Sequence, residues 1–314
     1  MSEPKQATAF APASTSNLAV GFDLLGHALE EPGDRITVRR IPRPEVRIER
    51  ILGCTTELPL DPTTNTATVG LIRMIDDLGL DFGFELEISK GIPLGSGIGG
   101  SAASAVAAVT AANALLPMPL DESELFHYAL VGEMIASGAA HGDNLAPALF
   151  GGLVLVRGLE PLEIVRVPVP EPWRCTIVRP HLRIDTRRAR EVLPESVSLE
   201  TQTRQAANLA GFIAGCYEGD PDIVRGSLQD LIIEPHRAHL IPGFAEAQRA
   251  ALEAGALGAS ISGAGPSLFA WSVDDGVATE IAGAMVKAFA ERGLEADQWV
   301  SPIMARGAHL LEVE

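Results

Sequence analysis

Few features of this chain point to a membrane, to redox chemistry or to nucleic acid. Cysteine is scarce: Cys54, Cys175 and Cys216 lie far apart, with no Cys-x-x-Cys pair. That excludes a disulfide scaffold and the common thiol metal motifs, and leaves free thiols filling a core in a reducing compartment. No uncharged apolar run approaches the roughly 20 residues of a membrane helix. The start, Met1-Ser2-Glu3-Pro4-Lys5, lacks the basic and then apolar order of a secretory signal. A soluble, cytoplasmic protein with no membrane partner is expected. Cations are also short, 24 Lys and Arg against 41 Asp and Glu, for a net charge of −17. Tracking a nucleic-acid backbone needs clustered cations, so no nucleic-acid partner is expected, whereas a small phosphorylated ligand needs only a local field. There is no internal repeat and no low-complexity segment.

What the chain does have is glycine in one telling place. Gly91-Ile92-Pro93-Leu94-Gly95-Ser96-Gly97-Ile98-Gly99-Gly100-Ser101-Ala102-Ala103-Ser104 follows a strand-like run at 84–89 and opens an alanine-rich helix expected to reach about Leu116. Glycines free the backbone so that successive N–H groups can converge, and a helix N-terminus adds unpaired N–H groups and a positive dipole end. The combination is an anion site, most simply one for phosphate. The P-loop spacing Gly95-x-x-x-x-Gly100 is present, but Ser101-Ala102 stands where Lys-Ser/Thr belongs, so the lysine anchor is missing. Gly95-x-Gly97-x-x-Gly100 also matches a dinucleotide fingerprint, yet the next element is Pro117-Met118-Pro119 and a second helical pattern rather than a strand. A flexible linker is the bland alternative, set aside because linkers rarely join a strand to a strong helix.

At 314 residues the chain is long enough for two cores. Strands are predicted at 7–12, 35–40, 45–50, 84–88, 151–156, 175–178, 259–262, 267–271 and 299–305, and a loop with a short apolar segment at 14–29. Helices are predicted at 65–78, 100–116, 121–137, 187–192, 200–216, 223–231, 244–254 and 277–292, with a proline-rich connector at 161–172. The mixture implies α+β, helices layered on antiparallel sheets, with domains at 1–160 and 161–314.

Two further segments stand out. Ser262-Gly263-Ala264-Gly265-Pro266-Ser267 bends between two apolar strands, which a hairpin alone would explain. Pro12-Ala13-Ser14-Thr15-Ser16-Asn17-Leu18 followed by Gly21-Phe22-Asp23 is short-chained and polar with an isolated acid, which a capped turn would explain.

Taken with the glycine loop, these segments resemble the GHMP small-molecule kinases, in the branch whose acceptor is the amino-acid alcohol L-homoserine. The branch rests on His141-Gly142-Asp143-Asn144-Leu145-Ala146-Pro147, Thr186-Arg187-Arg188-Ala189-Arg190 and Glu234-Pro235-His236-Arg237. The matches run in the family's order from near residue 8 to near residue 305. Two departures are Gly100, where the family usually has Ser, and Ser16 with Ala19 in place of the commoner Ala and Gly.

The resemblance implies a fold, a reaction and a set of roles. The fold would be an N-terminal ribosomal-protein-S5-like α+β domain and a C-terminal ferredoxin-like plait. The reaction would be ATP-dependent phosphorylation committing carbon toward threonine, by a family that often forms homodimers. Pro93 through Ala103 would hold the ATP phosphates through backbone N–H groups, with adenine contacts around Asn65. Ser101 and Glu133 would hold Mg2+ in an oxygen shell completed by phosphate and water. Arg190 and Arg237 suit the acceptor's carboxylate, because guanidinium forks grip it in paired hydrogen bonds. Asp23 suits its ammonium, and Thr186 and Gly263 would line the same site. Asn17 would bond the reacting hydroxyl, His141 would orient it, and Asn144 stands where related kinases carry an Asp base. With no strong base evident, the γ-phosphate itself would take the proton late. Asp143 as a base is the minority alternative. Rival readings are another GHMP kinase acting on a different small alcohol and a non-catalytic nucleotide-binding relative.

Overall fold

The computed structural model describes residues 4–53, 58–138 and 140–314. Two sheets organise them. In the first, β1 (Gln6–Asn17) and β2 (Gly21–Ile41) form a long antiparallel hairpin, and β3 (Val46–Gly53) runs parallel to β4 (Gly83–Lys90), which pairs with β2. A second hairpin, β5 (Leu153–Leu159) and β6 (Leu162–Val167), hangs on β2. The other sheet comprises β7 (Arg174–Pro180), β8 (Gly258–Ile261), β9 (Leu268–Ser272) and β10 (Ala296–Pro302), all antiparallel in the order β10-β7-β9-β8. The last strand, β11 (His309–Val313), returns to pair with β1. The α+β expectation holds.

Some expected boundaries shift for physical reasons. The strands at 7–12 and 35–40 run on through the expected loop to make most of β1 and β2. β1 alternates only at its start and is buried on both faces from Ala11 onward, which erases the period-two signal. The proline-rich passage contains β6, whose pairing with β5 overrides its turn-like composition. The chain therefore leaves the first sheet after Val167 rather than at 160, and re-enters it at β11.

Helices α1 (Thr66–Leu78), α2 (Gly100–Asn113) and α4 (Leu145–Phe150) pack on the first sheet, and α3 (Glu122–Ser137) lies against all three. Asn65 caps α1 by accepting from Ala67 N at 3.0 Å, and Asp121 and Glu124 form a capping box on α3. The alanines of α2 are buried on every side, as expected of a helix apolar all round with its neighbours pressed close. The later helices are α5 (Thr186–Glu191), α6 (Leu199–Glu218), α7 (Pro221–Ser227), α8 (Glu234–Arg237), α9 (Phe244–Glu253) and α10 (Asp275–Ala290). A second core of Val178, Ile261, Leu268, Ile281 and Phe289 lies between the second sheet and α9 and α10. Cys175 and Cys216 are buried free thiols; Cys54 lies outside the described residues.

The larger core is continuous from the first sheet into Trp173, Phe212 and Trp271 of the second half. At that junction Trp271 Nε1–H donates to His27 Nε2 at 3.2 Å, and His27 Nδ1 lies 2.8 Å from Ala28 O. Both ring nitrogens are matched only by neutral imidazole, and burial pushes its pKa from 6.5 down to about 4. The unfolded chain therefore binds the proton first. The stabilisation is complete above pH 6.5 and is lost as pH falls toward 4, by about 3 kcal/mol. Urea midpoints for wild type and His27→Gln should differ in their pH dependence across this window, and parallel curves would refute the assignment.

Candidate active site

The glycine loop sits at the seam between the two sheets. Gly95, Gly97 and Gly99 all have left-handed φ, at 59°, 79° and 67°. The carbonyl of Gly95 accepts from Ile184 N at 3.4 Å, that of Ser96 from Ser267 N at 3.2 Å, that of Gly97 from the Ser262 hydroxyl at 2.9 Å and that of Ile98 from Ser14 N at 3.2 Å. In a trans peptide the N–H lies opposite the carbonyl, so the N–H groups of Ser96, Gly97, Ile98 and Gly99 point away from these partners. The second glycine bend is thus one wall of the first. Gly99 ends the loop as an N-cap with no side-chain hydrogen bond, so the positive end of the 14-residue α2 is left for an anion.

A buried charge network stands behind the loop. Lys90 Nζ is paired with Asp34 and donates to Gly100 O and Ser104 Oγ, both at 2.8 Å. Asp34 Oδ1 accepts from Gly91 N at 3.1 Å and Ile92 N at 3.2 Å. The lysine absent from the loop's end therefore stands at its start, committed to fixing the loop. Sequence reasoning passed over Lys90; the signal was a charged residue closing a strand whose neighbours alternate into the core.

One cavity joins the loop to the other expected residues. It is lined by Asn17, Asp23, Asn65, Glu133, His141, Asn144, Thr186, Arg190, Arg237 and Gly263, and by Pro93 to Gly97 and Gly99 to Ser101. Three expected phosphate contacts do not line it: Ile98, Ala102 and Ala103 have core side chains, and Ala103 N–H is already bonded to Gly99 O at 2.9 Å. Phe22 and Lys90 line it without having been assigned there, and so does Asp143, the alternative base.

Glu133 on α3 faces Ser101 on α2. Burial pushes the Glu133 carboxyl up to about 7, opposed by the Ser101 hydrogen bond, raised further by Asp143 and lowered by Lys90. Across the cavity, Asn17 has φ 70°, donates to Gly263 O at 2.9 Å and accepts from Asp23 N at 3.0 Å. Arg190 Nη2 lies 2.7 Å from Asp23 Oδ1 and 3.5 Å from His141 Nδ1. Arg237 is buried and held by Ala189 O and Gly263 O, each at 2.9 Å. Burial, and then the Arg190 charge, push its pKa down to about 10. Burial likewise holds the His141 imidazole below its usual pKa, so neutral Nδ1 can accept from Arg190. Its Nε2 is buried with no partner among the described residues.

Asn144 and Asp143 differ in what they are free to do. The Asn144 amide is taken up at both ends, accepting from the Ser14 hydroxyl at 2.9 Å and donating to Ser16 Oγ at 3.0 Å. It braces β1 rather than facing a proton. Asp143 is buried, and burial followed by the nearby Asp23 charge pushes its pKa up to about 6, against a hydrogen bond from Ser16.

Residues 65–152 match the model for the GHMP kinases N terminal domain, and residues 212–291 that for the GHMP kinases C terminal. The homoserine kinase of Xylella fastidiosa strain 9a5c is 55% identical over 98% of this chain and 94% of its own. The chain belongs to the GHMP kinases, in their homoserine kinase family. The Chlorobium phaeobacteroides (strain DSM 266) homoserine kinase is 44% identical over 98% of this chain and all of its own. Among solved structures, the homoserine kinase from Cytophaga hutchinsonii superposes with a TM-score of 0.96 at 42% identity, covering 99% of each chain. A kinase of this family transfers phosphate to an alcohol. No helix among the described residues is long and apolar enough to cross a membrane.

Proposed function

We propose that this kinase transfers the γ-phosphoryl group of ATP to the side-chain hydroxyl of L-homoserine, giving O-phospho-L-homoserine and ADP. The observation that carries it is the convergence of Arg190, Arg237 and Asp23 on one cavity with the glycine loop. Two guanidiniums and one carboxylate complement an α-amino-acid head group. A sugar would call for several hydroxyl-reading groups in their place.

The loop amides and the α2 N-terminus hold the phosphate tail, Arg190 and Arg237 take the carboxylate, and Asp23 takes the ammonium. Asn17, its amide bonded to Gly263 O and Asp23 N, shapes the wall beside the hydroxyl, and the unpartnered Nε2 of His141 orients it. The oxygen attacks phosphorus as the bond to ADP breaks, and the hydroxyl proton passes late to the transferred phosphoryl oxygens. The donor set also fits magnesium. Ser101 offers a hydroxyl beside the Glu133 carboxyl, and a bound cation would hold that carboxyl ionised against the burial that raises its pKa. Mg2+ is usually held by one or two carboxylates, with water and phosphate completing the shell. When bound, the ion neutralises charge on the transferring phosphate.

The reading is tested by ADP release with MgATP and equal concentrations of homoserine, mevalonate, galactose and shikimate. Homoserine should dominate, and faster turnover of any other would defeat it. Because a loose transition state needs little help from a base, Asp143→Asn should keep kcat within about tenfold, roughly 1.4 kcal/mol of barrier. A thousandfold loss with an unchanged melting curve would instead make Asp143 the base.

A further inference from the structure

We infer that Phe22 is a specificity-determining residue, its ring holding Arg190 and Arg237 together as a single carboxylate receptor. The inference rests on the reading of these arginines as the amino-acid site. It starts from a problem the site poses. Two guanidiniums from separate helices, α5 and α8, must converge in a partly dry cavity before any anion arrives, and like charges repel there. The depressed proton affinity of Arg237, due in part to Arg190, is a sign of that repulsion.

The structure shows what opposes it. Both guanidinium carbons lie 5.3 Å from the centroid of the Phe22 ring, which lines the cavity. The face of an aromatic ring attracts a cation through its quadrupole and carries no net charge. A carboxylate in the same place would also gather the arginines, but it would neutralise them and compete with the substrate. Asp23 bonds Arg190 alone, and no carboxylate of the described residues lies within 4.0 Å of the Arg237 guanidinium. Arg237 is otherwise held by backbone carbonyls, which are also uncharged. The ring therefore keeps the two charges close, and because Arg190 meets Asp23 and His141 through Nη2, the rest of its fork faces the substrate carboxylate together with Arg237. Adjacency in sequence places this ring next to Asp23, so one short segment, Phe22-Asp23, organises both the anion-binding and the cation-binding ends of the site.

The test pairs substitutions with a truncated acceptor. Phe22→Leu keeps apolar bulk and removes the π face; Phe22→Tyr keeps the face. With L-homoserine, Phe22→Leu should raise KM about tenfold while kcat and the KM for ATP stay within about twofold, and Phe22→Tyr should restore wild-type KM. With 3-aminopropan-1-ol, which has the ammonium and hydroxyl but no carboxylate, Phe22→Leu should change kcat/KM by less than about twofold. An equal loss on both acceptors would show that the ring merely packs, and would overturn the inference. A second measurement needs no substrate: the Nε–H proton resonances of Arg190 and Arg237, shifted upfield by the ring, should move downfield together in Phe22→Leu or, should that variant not fold, in Phe22→Met. Unmoved resonances would overturn the inference whatever the acceptor proves to be. Failure of wild type to phosphorylate homoserine would instead count against the substrate reading, and the ring's role would then be decided by the resonances.

Discussion

Gly97→Ala should weaken MgATP binding at least a hundredfold, about 2.7 kcal/mol, while the protein still folds. At Gly97 φ is +79°, a backbone conformation that costs an L residue roughly 1–2 kcal/mol. Sterics then add to the strain. A Cβ there would sit 2.6 Å from the carbonyl oxygens of both Ser262 and Gly265. These are backbone atoms of the opposing glycine bend and cannot rotate away, so the two bends must separate. The Ser262 bond to Gly97 O would go with them, and the loop's N–H groups would no longer be aimed together. Gly293→Ala is the control, since its φ is +75° and a Cβ there meets nothing within 4 Å. It should cost stability alone. Calorimetric nucleotide titrations of both variants decide the matter, and affinity within threefold of wild type for Gly97→Ala would contradict the mutual support of the bends.

Glu133→Gln should lower kcat by about a thousandfold or more, roughly 4 kcal/mol of barrier, with nucleotide binding largely kept. Glutamine preserves the volume and can still bond Ser101, so only charge is removed. The effect should be large because the donor set offers a single carboxylate to the metal, with the rest of the shell left to Ser101, phosphate and water. Titrating MgCl2 at fixed ATP would show the cause: the variant should need far more magnesium for half-maximal rate. A kcat within tenfold of wild type would remove Glu133 from the metal site.

Much of this was legible in the residues themselves. The phosphate loop announced itself because glycines between a strand and a helix have few other uses, and the pattern over 121–137 marked α3. Glu133 was visible as an acid set among apolar neighbours of its helix. What stayed hidden depended on partners distant in the chain. β11 pairs with β1, some 300 residues away, and its exposed side chains carry no pattern of their own. β6 exists because β5 does, in spite of the prolines around it. Lys90 and Asp34 became a pair only when β2 and β4 came together, and Phe22 gained a role only when α5 and α8 brought arginines to its ring. Asn144 was placed at the right wall of the cavity, but the hydroxyls of Ser14 and Ser16 that occupy its amide could not be foreseen from spacing.

The central claim is that backbone amides and a helix end hold a triphosphate while two arginines and an aspartate present an amino-acid hydroxyl to it. The most direct measurement is phosphorus NMR of the protein incubated with MgATP and L-homoserine. A new phosphomonoester resonance coupled to the terminal methylene protons of homoserine, growing in step with ADP, is the predicted result. ADP accompanied only by inorganic phosphate, or an unchanged ATP spectrum, would contradict it.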